Sequence, residues 1–506
     1  MNLLDRISKR VYTKRKITTK TAIAYGVSDF VGGGGQTIIG AWLLYFYTSF
    51  CNLSATQGAL IVAIGKIVSA TFGFIIGGVS DNFYRTKLGK RFGRRHFFLF
   101  FGAPFLAVFA LMWVGGLNFW YYLITFCLFD VVTTITIPYE TLPTEMTTDF
   151  NERTKLSTVR MFCSASATFL ATWIPGQLFK ILGQKSPMPF FINGLVFTII
   201  FISFIYITAF NTWEKPVDEI TLNAVSDEED HSIKVLWQAI KSYFSTFRNK
   251  SFRKHLVIYL FSFTGKDVYN TIFTYFCVYV LGVTATVAAN MLSLSIVGLI
   301  TSLIGGLLII KIGPRWMYVG AYLLMLAMLG GYYSISQTKP SNIVMWLFII
   351  SFIYQIGRSM LEFTPWNVYP FIPDTDEIVT GENRAGVFAS VITLLRNLTA
   401  SLATVFVGMF LDAHGFVKNA ASQSAATQHS ILNALVFGAG TLILIALITS
   451  LTFKLNKQNH KIIVDEISRL RNGGSKADAT DEVKKVVKEL TGTSYDDIKL
   501  GEDNDK

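Results

Sequence analysis

The feature that most restricts the fold of this 506-residue chain is a series of apolar runs, each about 20 residues long, recurring through both halves. At 1.5 Å of rise per residue, a helix of about 20 residues crosses the hydrocarbon of a bilayer. Twelve such runs are present, at about 23–50, 57–79, 97–115, 118–137, 157–182, 190–210, 255–282, 287–310, 316–336, 342–364, 387–413 and 431–454. Hydrocarbon offers a peptide group no hydrogen-bond partner, so each run is predicted to be a helix that satisfies its own backbone. The expected fold is therefore an all-α integral membrane protein with twelve transmembrane helices. Charged residues make up only 15% of the chain, against roughly 25% in soluble proteins.

Three short motifs recur in the same order a half-length apart. RFGRR at 91–95 returns as KIGPR at 311–315, IPYETLP at 137–143 as TPWNVYP at 364–370, and Arg153 closing NER as Arg384 closing ENR. The ordered set predicts two pseudo-repeated six-helix bundles. The expected boundaries are a basic N-terminus at 1–22, a first bundle at 23–210, a linker at 211–254, a second bundle at 255–454 and a tail at 455–506. In the linker, SDEED at 226–230 precedes Ile233, Leu236, Trp237, Ile240, Phe244 and Phe247, spaced as on an amphipathic helix with an acidic first turn. In the tail, HKIIVDEISRLRNGG and ATDEVKKVVKELTG each show helical periodicity that stops at glycine.

A net charge of +12 suggests nucleic acid as a partner, but its distribution argues against one. Seven Lys or Arg lie in residues 1–22 and six between Arg85 and Arg95, whereas the loops at 51–56, 115–118 and 283–287 hold none. This alternation is the positive-inside pattern. It predicts a multi-pass protein of the cell membrane, with both termini cytoplasmic and the lipid bilayer as partner. A monomer is expected. Cys51, Cys127, Cys163 and Cys277 are scattered singly, without metal-ligand spacing, and the six histidines lie at span ends or in loops. No hydrolase or kinase motif is present, and the four glycines at 32–35 lack the flanking strand and Lys-Ser/Thr of a phosphate loop. No enzyme activity, metal or cofactor is expected.

Charges inside the spans are then the candidate functional groups, since each costs about 2.5–3.5 kcal/mol on insertion scales unless it meets a partner or a polar cavity. They are Asp29, Lys66, Asp130, Arg160, Lys266, Asp267, Arg358, Glu362 and Arg396. Their near-balance predicts pairs that break and re-form as helices move. Lys266 and Asp267 are adjacent and point about 100° apart, so they cannot share one partner. The glycines after Asp29 are read either as a close-packing surface or as a functional bend.

The stretch from Gly77 to Phe97, with Gly77, Asp81, Arg94 and Arg95, resembles the helix 2–3 signature of the major facilitator superfamily. It has two readings, a gate between open and closed states or a solvated, topology-setting loop. With YGVSDF at 25–30, IPYETLP, NERTKLSTVRMF at 151–162 and PDTDEIVTGENRAGVF at 373–388, the chain resembles the glycoside-pentoside-hexuronide:cation symporter family. The resemblance implies the major facilitator fold and uptake of a sugar or glycoside coupled to H+, Na+ or Li+. It carries over Arg160 as a sugar-site residue. Where the family's best-known member has two helix 2 aspartates for its cation, this chain has Ser69 and Gly73, neither of which supplies a carboxylate. A Na+ site is therefore not expected, and H+ is the expected coupling ion, carried by Asp29 or Asp130. The family's helix 1 acid aligns with Gly33, one turn from Asp29, and its stacking Trp aligns with Glu140.

The expected substrate is a small sugar, hydrogen-bonded by Asp29 and Arg160, with Lys266 nearby and stacking supplied from among Tyr25, Tyr139, Tyr269 and Trp366. Asp29, Asp130, Lys66, Asp267, Arg358, Glu362 and Arg396 form the expected coupling network, and Asp81, Arg94 and Arg95 the expected gate. Alternatives open at this point are an uncoupled sugar facilitator, a lysolipid or amphiphile carrier, and a transport-dead sensor that signals through the linker and tail.

Overall fold

The computed structural model describes residues 10–147, 149–215, 241, 243–382 and 384–501. Most of the expected amphipathic linker helix lies outside the described residues. Every apolar run read from the sequence coincides with helix: α1 (19–50), α2 (Ala55–Asn82), α3 (His96–Leu111), α4 (Phe119–Met146), α5 (Phe150–Leu182), α6 (Met188–Asn211), α7 (250–280), α8 (285–312), α9 (314–338), α10 (Ile343–Thr380), α11 (Ala385–Ala413) and α12 (Ala425–Leu451). Seven helical stretches among the described residues are long and apolar enough to cross a membrane. Two tail helices follow, α13 (Lys457–Arg471) and α14 (Asp481–Thr491).

Polar caps set the helix starts. Ser54 and Gln57 form a reciprocal capping box on α2, and Asn118, Asp149 and Thr284 each accept from a backbone N–H of the first turn of α4, α5 and α8. Pro175 lies within α5 and Pro365 within α10. The duplicated motifs share backbone geometry: Gly93 of RFGRR has φ 88° and Gly313 of KIGPR has φ 78°, a left-handed conformation open to glycine. At Gly313 it kinks an otherwise continuous helix and so separates α8 from α9.

By residue contacts the chain divides into two compact units. The first comprises residues 1–228, 270–296 and 401–433, and the second 229–269, 297–400 and 434–506. The core of the first unit is aromatic. Phe190 lies 5.1 Å from Phe46 and 5.0 Å from Phe179 between ring centroids, and stacks on Trp113. In the same unit, the Asp412 carboxylate accepts from the Ala55 and Thr56 N–H groups at 3.0 and 2.7 Å, capping α2. In the second unit Tyr269 stacks on Tyr354 with centroids 4.2 Å apart, and its hydroxyl is 3.0 Å from that of Tyr332. Tyr269 is thus a buried packing residue there. Large exposed apolar side chains such as Trp120, Ile181, Ile300 and Phe406 lie on helix surfaces, as lipid-facing positions require.

Candidate functional site

In the first unit, α1 carries Asp29 on an irregular backbone: a 3-10 turn at Val27–Asp29 runs into a π-helical turn at Phe30–Gly35. The glycines let α5 approach closely. A Cβ at Gly26 would stand 3.1 Å from the Arg160 backbone, and one at Gly33 2.9 Å from the Ser164 carbonyl oxygen. Close packing and an altered helical turn therefore occur together at these glycines.

That approach brings Arg160 to Asp29. Its Nε donates to Asp29 Oδ1 at 2.9 Å and its Nη2 to Glu140 Oε1 at 2.6 Å. The guanidinium also lies over the Tyr139 ring, 5.5 Å from its centroid, and Tyr139 packs on Tyr25 at 4.8 Å. Both tyrosines are buried, so the pair forms a platform under Arg160 and presents no open face in this conformation. In the same unit Lys66 of α2 donates to Asp130 Oδ1 of α4 at 2.8 Å and to Gln36 Oε1 of α1 at 2.9 Å. Among the charges named in the spans, Asp29 is thus held by Arg160 and Asp130 by Lys66. Ser69 and Gly73 lie one and two turns along α2 from Lys66.

The second unit gathers the remaining five charges. Arg396 of α11 holds Asp267 of α7 through two nitrogens, at 2.6 and 2.9 Å. Adjacent Lys266 turns to α10 instead, where Glu362 Oε1 is 3.2 Å from Lys266 Nζ and 3.2 Å from Arg358 Nε. The two neighbours on α7 thus face different partners, as helix geometry demands. The Phe263 ring lies between the pairs, 4.5 Å from Lys266 Nζ and 5.3 Å from the Arg396 guanidinium carbon. Trp366 is half exposed at the end of the same α10 stripe and meets Tyr259 edge-on at 5.7 Å.

Of the expected gate residues, Arg94 pairs with Glu145 at the end of α4, and Arg95 donates to Ser80 Oγ of α2. The Asp81 side chain lies outside the described residues. The same segment is held by Glu214, whose carboxylate accepts from the Arg94, Arg95 and His96 N–H groups at 2.8, 2.9 and 2.7 Å and contacts His96 Nδ1 at 2.7 Å. Burial alone would raise the Glu214 pKa. The hydrogen bonds to His96 and to these backbone groups outweigh it and hold the carboxyl below its usual range.

Sequence reasoning did not single out Glu140, Gln36, Phe263, Glu145 or Glu214 as functional partners. Phe263 has a legible signal, lying three residues before Lys266 on one helix face. Glu140 follows the Pro138–Tyr139 pair, three residues past the end of the apolar run at 118–137. Glu214 lies beyond the last residue of α6, and nothing local marks it.

The MFS/sugar transport protein family model matches residues 24–457. The chain is 26% identical to a putative sulfoquinovose importer of Salmonella typhimurium, covering 93% of this chain and 97% of that protein. It is 25% identical to the uncharacterized symporter YjmB of Bacillus subtilis, over 90% and 97% of the two chains. An isoprimeverose transporter of Lactiplantibacillus pentosus is 23% identical, over 90% and 92%. Among solved structures, a bacterial homolog of the lysosomal transporter Spinster superposes with a TM-score of 0.60 at 14% identity, over 87% of this chain and 97% of that one. The nucleoside transporter NupG gives 0.60 at 11% identity, over 87% and 100%. At these identities the structural likeness concerns the fold alone.

Proposed function

Because the chain belongs to the MFS/sugar transport protein family and is a membrane transporter rather than an enzyme, we propose that it imports a sugar or glycoside into the cytoplasm by alternating access, driven by the proton gradient. Both termini are cytoplasmic in this reading, and the membrane is the cell membrane. The observation that carries the proposal is the Asp29–Arg160–Glu140 group, set among apolar helices and braced from below by Tyr139. A carboxylate accepts from sugar hydroxyls and a guanidinium donates to them, in a fixed plane. Arg160 joins the two carboxylates and orients both.

Proton coupling follows from the same pairs. Desolvation favours a neutral carboxyl and a nearby cation favours a charged one. Asp29 and Asp130, each held by one cation from another helix in this conformation, are the proposed proton carriers. Ser69 and Gly73 supply no carboxylate for Na+, which is also the observation favouring an uncoupled facilitator as the second reading.

The test is uptake of labelled glycosides, pentosides and uronides by energised vesicles, with and without a proton ionophore and Na+. Accumulation that collapses with the ionophore and ignores Na+ is the expected result. Equilibration without accumulation would establish the facilitator, and no uptake of any sugar would remove the sugar reading. Asp29→Asn is expected to insert normally and to lose accumulation; normal accumulation in that variant excludes Asp29 from the mechanism.

A further inference from the structure

The turns at Gly93 and Gly313 share a left-handed backbone, but what packs against them differs. At Gly93 a Cβ would stand 2.5 Å from a Glu214 carboxylate oxygen and 2.7 Å from the Val11 side chain. Glu214 is the third residue past α6, and its N–H donates to the Val11 carbonyl at 2.9 Å, so the basic N-terminus closes over this turn. At Gly313 a Cβ would meet nothing within 4 Å. The third residue past α12 is Lys454, and the stretch 452–457 contains no acid.

Beside the second turn lies a cavity of about 410 Å³, within the range of about 300–1,000 Å³ typical of small-molecule sites. Its wall is divided in character. Pro314, Val368, Phe371 and Leu455 form an apolar side, and Asn456 and Lys457 a polar one. His460 also lines it but is held by Asp374 at 2.7 Å. Lys457 is exposed and pairs with no acid among the described residues. The same holds for Lys311 and Arg315, on either side of the turn, and for Lys461, one helical turn beyond Lys457. Arg315 Nε is buried and has no acceptor among those residues.

The depth of the cavity is set by its walls. Pro314, Phe371 and Leu455 lie a few residues past the apolar runs of α8, α10 and α12, which is the level of lipid headgroups. Ile312 and Trp316, beside the turn, are large exposed apolar side chains, and Trp favours the boundary between hydrocarbon and water.

We propose that this cavity binds the headgroup of an anionic phospholipid from the cytoplasmic leaflet. Lys457 pairs with the phosphate, Lys311, Arg315 and Lys461 supply the surrounding positive field, and the glycerol and first methylenes lie against Val368, Phe371 and Leu455. A soluble phosphate would meet the cations without using the apolar wall, and a neutral lipid would meet the wall without using the cations. The inference goes beyond sugar transport and requires only that this face is cytoplasmic.

The experiment places the purified full chain in nanodiscs of equal phosphatidylglycerol and phosphatidylcholine and measures by native mass spectrometry which lipid stays bound on release, with sn-glycerol 3-phosphate as a soluble competitor. The retained lipid is expected to be enriched in phosphatidylglycerol by at least about fivefold, the worth of one basic residue at an anionic surface. Lys457→Gln should lower the enrichment severalfold, and Leu455→Glu, which sets an acid in the cavity wall, should abolish it. Lys339→Gln, at the opposite end of α9, should leave it unchanged. Thermal unfolding separates a lost site from a lost fold in Leu455→Glu, and Lys457→Gln, an exposed position, carries the test alone if that variant does not fold. Equal retention of the two lipids, an enrichment that survives Lys457→Gln, or one lost equally in Lys339→Gln overturns the inference. Displacement of the bound lipid by glycerol 3-phosphate at comparable concentration would make the site one for a soluble phosphate and overturn the lipid assignment.

Discussion

Lys66 and Asp130 show most simply why charges sit inside these helices. Asp130 is almost completely buried, its side chain 1% exposed, and Lys66 meets it at 2.8 Å. Removing one partner of such a pair strands the other charge, at a cost of about 3–5 kcal/mol, whereas removing both costs much less. Lys66→Met should therefore lower the thermal unfolding temperature markedly, and Lys66→Met with Asp130→Asn should recover most of the loss. Destabilisation of the double variant equal to the sum of the Lys66→Met and Asp130→Asn single variants would show that the pair contributes no coupling energy. Most members of the charge network were legible because a charged residue in an apolar run stands out against its neighbours. Their pairing was not, because partners come from helices distant in sequence: Asp29 with Arg160, Asp267 with Arg396, Lys266 with Glu362. Glu140 was missed because it sits beyond an apolar run, in a motif whose proline draws attention first.

At the scale of elements, α1 and α5 are joined through missing side chains. Gly33→Val would push a branched side chain into the Ser164 hydroxyl and carbonyl. Overpacking of this kind costs about 1–3 kcal/mol, and it would also draw Arg160 away from Asp29. Thermal unfolding and sugar binding should both fall in that variant; an unchanged unfolding temperature would mean that the helices separate there at no cost. The α3 start depends on Glu214, which caps it from beyond α6. The Glu214 carboxyl is held below its unfolded value, so its contribution to stability is fully present above the unfolded value of about 4.3 and is lost as pH falls through the lower, folded one. Glu214→Gln should lower the unfolding temperature at pH 7 and flatten its decline on acidification. An acid profile that keeps the wild-type slope would assign the decline to other groups. The tail helices were legible from their periodicity and terminal glycines. Gly492 closes α14 in a left-handed conformation at φ 84°. The docking of the tail was not legible: His460 meets Asp374 at 2.7 Å and Arg471 meets Glu377 at 2.7 Å, on residues of α10 about ninety positions away.

Over the whole molecule, the apolar runs gave the helices because hydrocarbon leaves the backbone no alternative. The duplicated Gly93 and Gly313 motifs marked equivalent backbone turns, since a positive φ is a constraint that sequence records directly. With Glu140, just past the end of its apolar run, added to the nine charges inside the runs, the set numbers five of each sign, with one extra negative charge in the first unit and one extra positive charge in the second. The most direct test is the pH of a lightly buffered suspension of de-energised vesicles when the transported sugar is added. The account predicts external alkalinisation on sugar entry, abolished by a proton ionophore and absent in Asp29→Asn. Sugar entry at the same rate without alkalinisation, or an unchanged signal in that variant, would contradict it.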